Sequence, residues 1–213
     1  MRKYIYMMAA ALVLLVSCQE KVEFMSDLTL SSSTVKMPAA EGWHVIAVYA
    51  NNPWTAGFSE PVDWASLDVI KGGDGLGRIR LDCRDNYGLK RAVDVVVTDG
   101  SLSDTLHVVQ NAGLSEIEFS FKESSVEVPA DRARVKTAFK TNLRYDIGRA
   151  VISVKDTADE PVEWISDVEI GMDAVTFTVS QAEEDRMAVI TLTLTDCEGT
   201  MLETSLLVNQ KCS

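Results

Sequence analysis

The chain repeats itself. Val62-Asp63-Trp64-Ala65-Ser66 leads to Leu106-His107-Val108-Val109-Gln110, and Val162-Glu163-Trp164-Ile165-Ser166 leads in the same way to Leu206-Leu207-Val208-Asn209-Gln210. Each Trp precedes its Gln by 46 positions (110 − 64 and 210 − 164). An offset of 91 lays Ser33-Thr34-Val35-Lys36-Met37-Pro38-Ala39 on Ser124-Ser125-Val126-Glu127-Val128-Pro129-Ala130. A unit of nearly 100 residues is long enough to bury a core of its own, so the repeat predicts two small domains in series.

Within each unit apolar residues alternate with polar ones. Val175, Phe177 and Val179 interleave with Thr176 and Thr178, and Ala188, Ile190, Leu192 and Leu194 with Val189, Thr191, Thr193 and Thr195. Val93, Val95 and Val97, then Leu106 and Val108, repeat the plan upstream. A period of two puts one face inward and one in water, which belongs to antiparallel sheets, because a doubly covered parallel sheet reads as continuous apolar runs. Turn residues separate the strands at Asn51-Asn52-Pro53, Gly72-Gly73-Asp74-Gly75, Thr98-Asp99-Gly100 and Asp196-Cys197-Glu198-Gly199. No window carries an amphipathic helix. About seven short strands per unit predict an all-β chain of two tandem immunoglobulin-like antiparallel β-sandwiches, over 26–112 and 115–212. The change in offset from 91 to 100 places a nine-residue insertion in the second unit around Gly148 to Pro161.

Residues 1–17 have the layout of an export signal: Arg2 and Lys3, an apolar run from Ala9 to Val16, then Ser17 before Cys18. Leu15-Val16-Ser17-Cys18 resembles a bacterial lipobox, which predicts cleavage before Cys18, lipidation of its sulfur and a tether over 18–25. Buried acyl chains, each CH₂ worth about 0.8 kcal/mol, anchor such a protein on a membrane without spanning it. Glu20 and Glu23 behind the Cys resemble signals for the outer membrane and the cell surface, with the periplasm-facing leaflet as the alternative. After cleavage, 18 basic residues (20 − 2) face 32 acidic ones, a net charge of −14. That balance repels nucleic acid and anionic headgroups alike. Three Cys then remain. Cys83 falls on the apolar side of its strand, and Cys197 and Cys212 fall near opposite ends of a predicted hairpin, too far apart to pair.

Catalytic and metal-binding patterns are lacking. His44 and His107 fall in predicted strands, with no zinc spacing and no nucleophile motif beside them. Asp63 and Glu163 are repeat-related and so belong to separate units, whereas glycosidase carboxyls stand within about 10 Å of each other. Asp82, Asp85 and Asn86 do not follow a calcium loop. No cofactor, metal or enzymatic activity is expected. Gly72 to Gly77 lacks the Lys-Ser/Thr of a phosphate loop and reads as a flexible strand connection.

Aromatic residues are the feature that can carry ligand binding. Trp64 and Trp164, in repeated positions, read as core or core-edge residues, and Trp43 reads as packed on the sandwich edge. Trp54 has two readings, a packed ring or a stacking platform. In the second, Phe58 and Tyr87 join it, and Asn52, Asp85 and Asn86 supply partners for sugar hydroxyls.

Asn51-Asn52-Pro53-Trp54, Asp63-Trp64-Ala65-Ser66, the turn at Gly72 to Gly77, Asn86, Arg91-Ala92-Val93 and Val108-Val109-Gln110 together resemble the BACON family, the Bacteroidetes-associated carbohydrate-binding often N-terminal domain. The second unit is a diverged copy, with Tyr145 at the offset of Trp54 and Gln181 at that of Asn86. The resemblance implies a surface lipoprotein that binds a glycan or another surface ligand. The alternative is a spacer, or a subunit of a surface complex with protein partners. An exposed ring set around Trp54 belongs to the first reading. A buried Trp54 with an apolar, partner-sized patch on one sheet belongs to the second.

Overall fold

The computed structural model describes residues 27–212. The export signal, Cys18 and the tether up to residue 25 lie outside them. The described residues are all-β, with one 3-10 turn and no α-helix. The first half holds β1 (Leu28–Leu30), β2 (Thr34–Met37), β3 (Gly42–Ala50), β4 (Trp54–Phe58), β5 (Ala65–Leu67), β6 (Lys71–Gly72), β7 (Gly75–Cys83), β8 (Arg91–Thr98) and β9 (Ser103–Gln110). The second holds β10 (Phe119–Phe121), β11 (Ser125–Val128), β12 (Ala133–Thr141), the 3-10 turn (Ile147–Arg149), β13 (Val151–Lys155), β14 (Ile165–Ile170), β15 (Ala174–Val179), β16 (Arg186–Thr195) and β17 (Met201–Gln210).

These strands form four sheets. Sheet β1-β3-β7-β5 faces β2-β9-β8-β4-β6 across one core, and β10-β12-β15-β14 faces β11-β17-β16-β13 across another. Pairing is antiparallel except at β2/β9 and β11/β17, where the strand carrying Val35 or Val126 runs parallel to the last strand of its half. The alternation places its residues as the sequence predicts. Val93, Val95, Val97, Val175, Phe177, Val179 and the run Ala188 to Leu194 all bury their apolar members. Cys83 is buried with them, and burial pushes its thiol up to about 11.

The repeated Trp, Arg and Gln form one device used twice. Arg91 lies 4.5 Å over the Trp64 ring and donates Nε to Gln110 Oε1 at 2.9 Å; Arg186 lies 4.5 Å over Trp164 and donates to Gln210 at 2.8 Å. Gln110 then donates to the Arg84 and Ala39 carbonyls, and Gln210 to those of Ser180, Pro129 and Ala130. Both glutamines are fully buried with their own amide groups satisfied in this way, and the carbonyls of Ala39, Ala130, Arg84 and Ser180 also accept from the Asn86 and Ala182 amides and from Arg91 and Arg186. The Trp is half-buried beneath its Arg, as a core-edge residue.

Register fixes where the second copy is longer. Phe58 pairs with Val95 and Val154 with Ile190, and Val95 and Ile190 hold the same place opposite Leu106 and Leu206. Counterparts in β4 and β13 are therefore 96 apart (154 − 58), against 91 in β3 and β12 (133 − 42). The insertion expected in one place is split. Five residues enter in the segment 142–150, and the other four enter around the Asp156–Glu160 turn, where Asp156 accepts from the Ala158 and Glu160 amides.

Candidate functional site

The structure separates the six nominated ligand residues. β8 runs seven steps from Arg91 to Thr98, roughly 23 Å at strand rise, with the loop that precedes Arg91 at one end and Trp54 beside Thr98 at the other. Trp54 is 2% exposed and cannot stack on a ligand, which corrects its reading as a platform. A Cβ on Gly77 would come within 2.6 Å of its ring, and one on Gly72 closer still. The glycine-rich stretch is thus the slot for this indole rather than a flexible connection. Asn52 sits at the same far end and braces a turn, donating to Asp99 Oδ2 at 3.2 Å. Amides of Leu102 and Ser101 with the Ser101 hydroxyl and Asn52 hold the Asp99 carboxyl well below the usual aspartate range. Phe58 is half-buried on the first core, midway between the two ends.

Tyr87, Asp85 and Asn86 come together at the junction of the two halves. Asn86 is buried and corrected from hydroxyl partner to chain bracket: its amide donates to the Leu89 and Asn111 carbonyls at 2.8 Å each, and its Oδ1 accepts from Gly88 N at 3.0 Å. The loop it shapes crosses into the second half. Leu89 packs in the second core, and its amide donates to the buried Asp146 Oδ2 at 2.9 Å. Glycine is required here for space. A Cβ on Gly88 would overlap the Asp146 carboxylate, and one on Gly113 would overlap the Asn86 carbonyl.

Asp146 belongs to the five-residue insertion, as does Tyr145 before it. Tyr145 is 69% exposed and Tyr87 59%, with ring centroids 6.3 Å apart and planes tilted by 34°. They front a cleft of about 900 Å³ whose wall carries Glu41, Glu60, Asp63 and Asp85 beside Arg84 and Lys90. Asp85 accepts from Tyr87 Oη at 3.0 Å and from the Glu41 amide at 2.8 Å. That bond to a carboxylate pushes the Tyr87 phenol above its ordinary value. Lys90 is ion-paired with Glu198 across the junction, which raises its ammonium likewise. Two exposed rings with mixed donors and acceptors around them can hold a ligand that has apolar faces and a hydroxyl edge.

Trp43 is also misassigned by sequence. It is 61% exposed on β3, with Arg80 5.4 Å from its ring, rather than packed on an edge. Tyr145 is missed by the sequence, which lays it on Trp54 and puts the insertion around Gly148 to Pro161; the register of β4 and β13 puts its segment, 142–150, among the added residues. His44 and His107 lie in β3 and β9, His107 Nδ1 standing 2.7 Å from Asp94. Among the described residues no group of three or more His, Cys, Asp or Glu is arranged to hold a metal ion, and Cys83, Cys197 and Cys212 are free thiols.

No family model matches the chain, and no curated protein does. Solved structures with similar strand arrangements include a Bacteroides ovatus family 5 xyloglucanase in complex with a heptasaccharide (18% identity, TM-score 0.36, 40% of this chain and 19% of that one). Others are an endo-fucoidan hydrolase of glycoside hydrolase family 107 (11%, 0.33, 91% and 30%) and a titin Ig tandem (6%, 0.34, 86% and 96%). The chain spans less than a third of either hydrolase.

Proposed function

We propose that this is a lipid-anchored bacterial surface protein of two tandem immunoglobulin-like units which binds a glycan in the cleft between them and has no catalytic role. The observation that carries the reading is the pair Tyr87 and Tyr145, two exposed rings 6.3 Å apart supplied by different halves of the chain. Tyr145 lies on a segment that the sandwich does not need, and that segment's Asp146 and Leu143 are spent on holding the joint. Exposed rings flanked by carboxylates and cations suit a sugar, whose C–H face packs and whose hydroxyls both give and accept. The resemblance of the first unit to BACON modules and the lipobox at Cys18 agree with this. The spacer reading is supported by one observation, the burial of Trp54.

The test is titration of the lipid-free chain, residues 19–213, with plant and host polysaccharides, followed by intrinsic fluorescence and calorimetry. Saturable binding that Tyr87→Ala and Tyr145→Ala each weaken about tenfold or more is expected. Binding indifferent to both variants, or none across the panel, defeats the reading and leaves the spacer. For the anchor, labelled fatty acid should be incorporated into the wild-type chain and not into Cys18→Ala, and a wild type that takes up no label would refute lipidation at Cys18.

A further inference from the structure

Trp43 is the one exposed tryptophan among the described residues, and the scaffold does not ask for it. At the same place in the second half, 91 positions on, stands Arg134, whose guanidinium pairs with Glu169 at 2.7 Å. A charged residue serves the sandwich there equally well. Trp43 faces outward from sheet β1-β3-β7-β5, with Asp82 as its cross-strand partner and Ser66 beyond it. Arg80 lies over the ring and donates Nε and Nη2 to Asp82 Oδ1 at 2.9 and 2.6 Å. A flat ring, a guanidinium and a carboxylate are therefore held at one spot, with the two charged groups fixed by each other.

Beside Trp43 is a depression of about 560 Å³, and Glu41, Trp64 and Arg84 line both it and the junction cleft. The wall between them is continuous: the Glu41 amide bonds Asp85, and Asp85 bonds Tyr87. Glu41 and Trp43 are two residues apart, at most about 7 Å of chain.

We infer that Trp43, Arg80 and Asp82 form a second subsite of the same groove, so that the ligand is a glycan chain gripped along its length rather than a single sugar or a chain end. The indole covers the C–H face of one residue while Arg80 and Asp82 meet its vicinal hydroxyls, and Tyr87 and Tyr145 hold another residue further along. This rests on the glycan reading of the cleft.

The experiment is a length-graded array of glucan, xylan, galacturonan and mucin-type oligosaccharides, from mono- to hexasaccharide, probed with the wild-type chain, Tyr87→Ala, Trp43→Ala and Trp43→Arg. The Arg variant carries the residue type that stands at this place in the second half, and Asp82 opposite it can receive the charge. Wild-type affinity should rise about tenfold or more with length, and both Trp43 variants should flatten that rise to the level of the short chains. Binding that Tyr87→Ala removes but both Trp43 variants leave unchanged at every length overturns the subsite and spares the cleft. An array silent for the wild type, or one that Tyr87→Ala does not weaken, overturns both.

Discussion

Trp54 is a ring without a hydrogen bond: its indole N–H is buried and finds no partner, while two glycines leave it room. Its value to the fold is therefore shape and apolar area. Trp54→Phe should cost much less than Trp54→Ala, for which about 3–5 kcal/mol is the usual range. Gly77→Ala should cost about 1–3 kcal/mol by overpacking against the same ring. Urea denaturation of the three variants checks this, and a Gly77→Ala chain as stable as wild type would mean the slot is loose. Tyr87 allows a test by pH. Its phenol is raised by the hydrogen bond to Asp85, so the protonated form is the one the fold favours. The bond is intact below the ordinary tyrosine value and is lost as pH rises through the raised one. Asp85→Asn removes the carboxylate charge, so ultraviolet titration should show one phenol moving down toward the ordinary value. An unchanged titration would mean that Tyr87 does not make this bond in solution.

At the scale of elements, the Arg–Gln–Trp device explains why the repeat is most visible at those residues. Gln110 and Gln210 are fully buried and each accepts from the Nε of its arginine, so truncation takes that acceptor away in both halves. Gln110→Ala and Gln210→Ala should each cost about 1–3 kcal/mol per orphaned group, and by similar amounts. Denaturation that is severe for one and negligible for the other would show that the copies no longer work alike. The same elements show what a sequence can disclose. Inward positions of β8, β9, β15 and β16 were legible because burial with a period of two leaves its mark on every second residue. Trp43 and Trp54 were not, since whether a ring at a strand's start points in or out depends on register with a partner distant in the chain. Trp54 is buried because Gly72 and Gly77 admit it: Gly72 is its partner where β4 pairs with β6, and Gly77 meets its ring from β7 in the facing sheet. Asn86 carries the same lesson: its type suits a hydroxyl partner, but its amide is used within its own loop.

For the whole molecule, the stretch between the halves is short, yet the joint does not depend on shortness alone. Leu89 comes from the first half and is buried in the core of the second, and the segment 142–150 answers it with Leu143 in the same core and Asp146 on its amide. Gly88 and Gly113 allow the backbones to approach. A side chain buried in this way contributes roughly 1.5–3 kcal/mol, enough to make the closed joint the dominant arrangement. The cleft exists only while it is closed, because Tyr87 and Tyr145 reach it from opposite sides. Leu89→Ala removes the plug but leaves both rings in place. It should lower stability by about 2–5 kcal/mol, enlarge the radius of gyration in solution scattering, and expose the segment around Gly113 to proteolysis. Glycan affinity should fall with it, although no residue facing the ligand has changed. If scattering and proteolysis are unaltered, the joint is held by Asp146 and Asn86 without Leu89. If the joint opens and affinity persists, the binding surface belongs to one half, and the pairing of the two tyrosines is incidental to it.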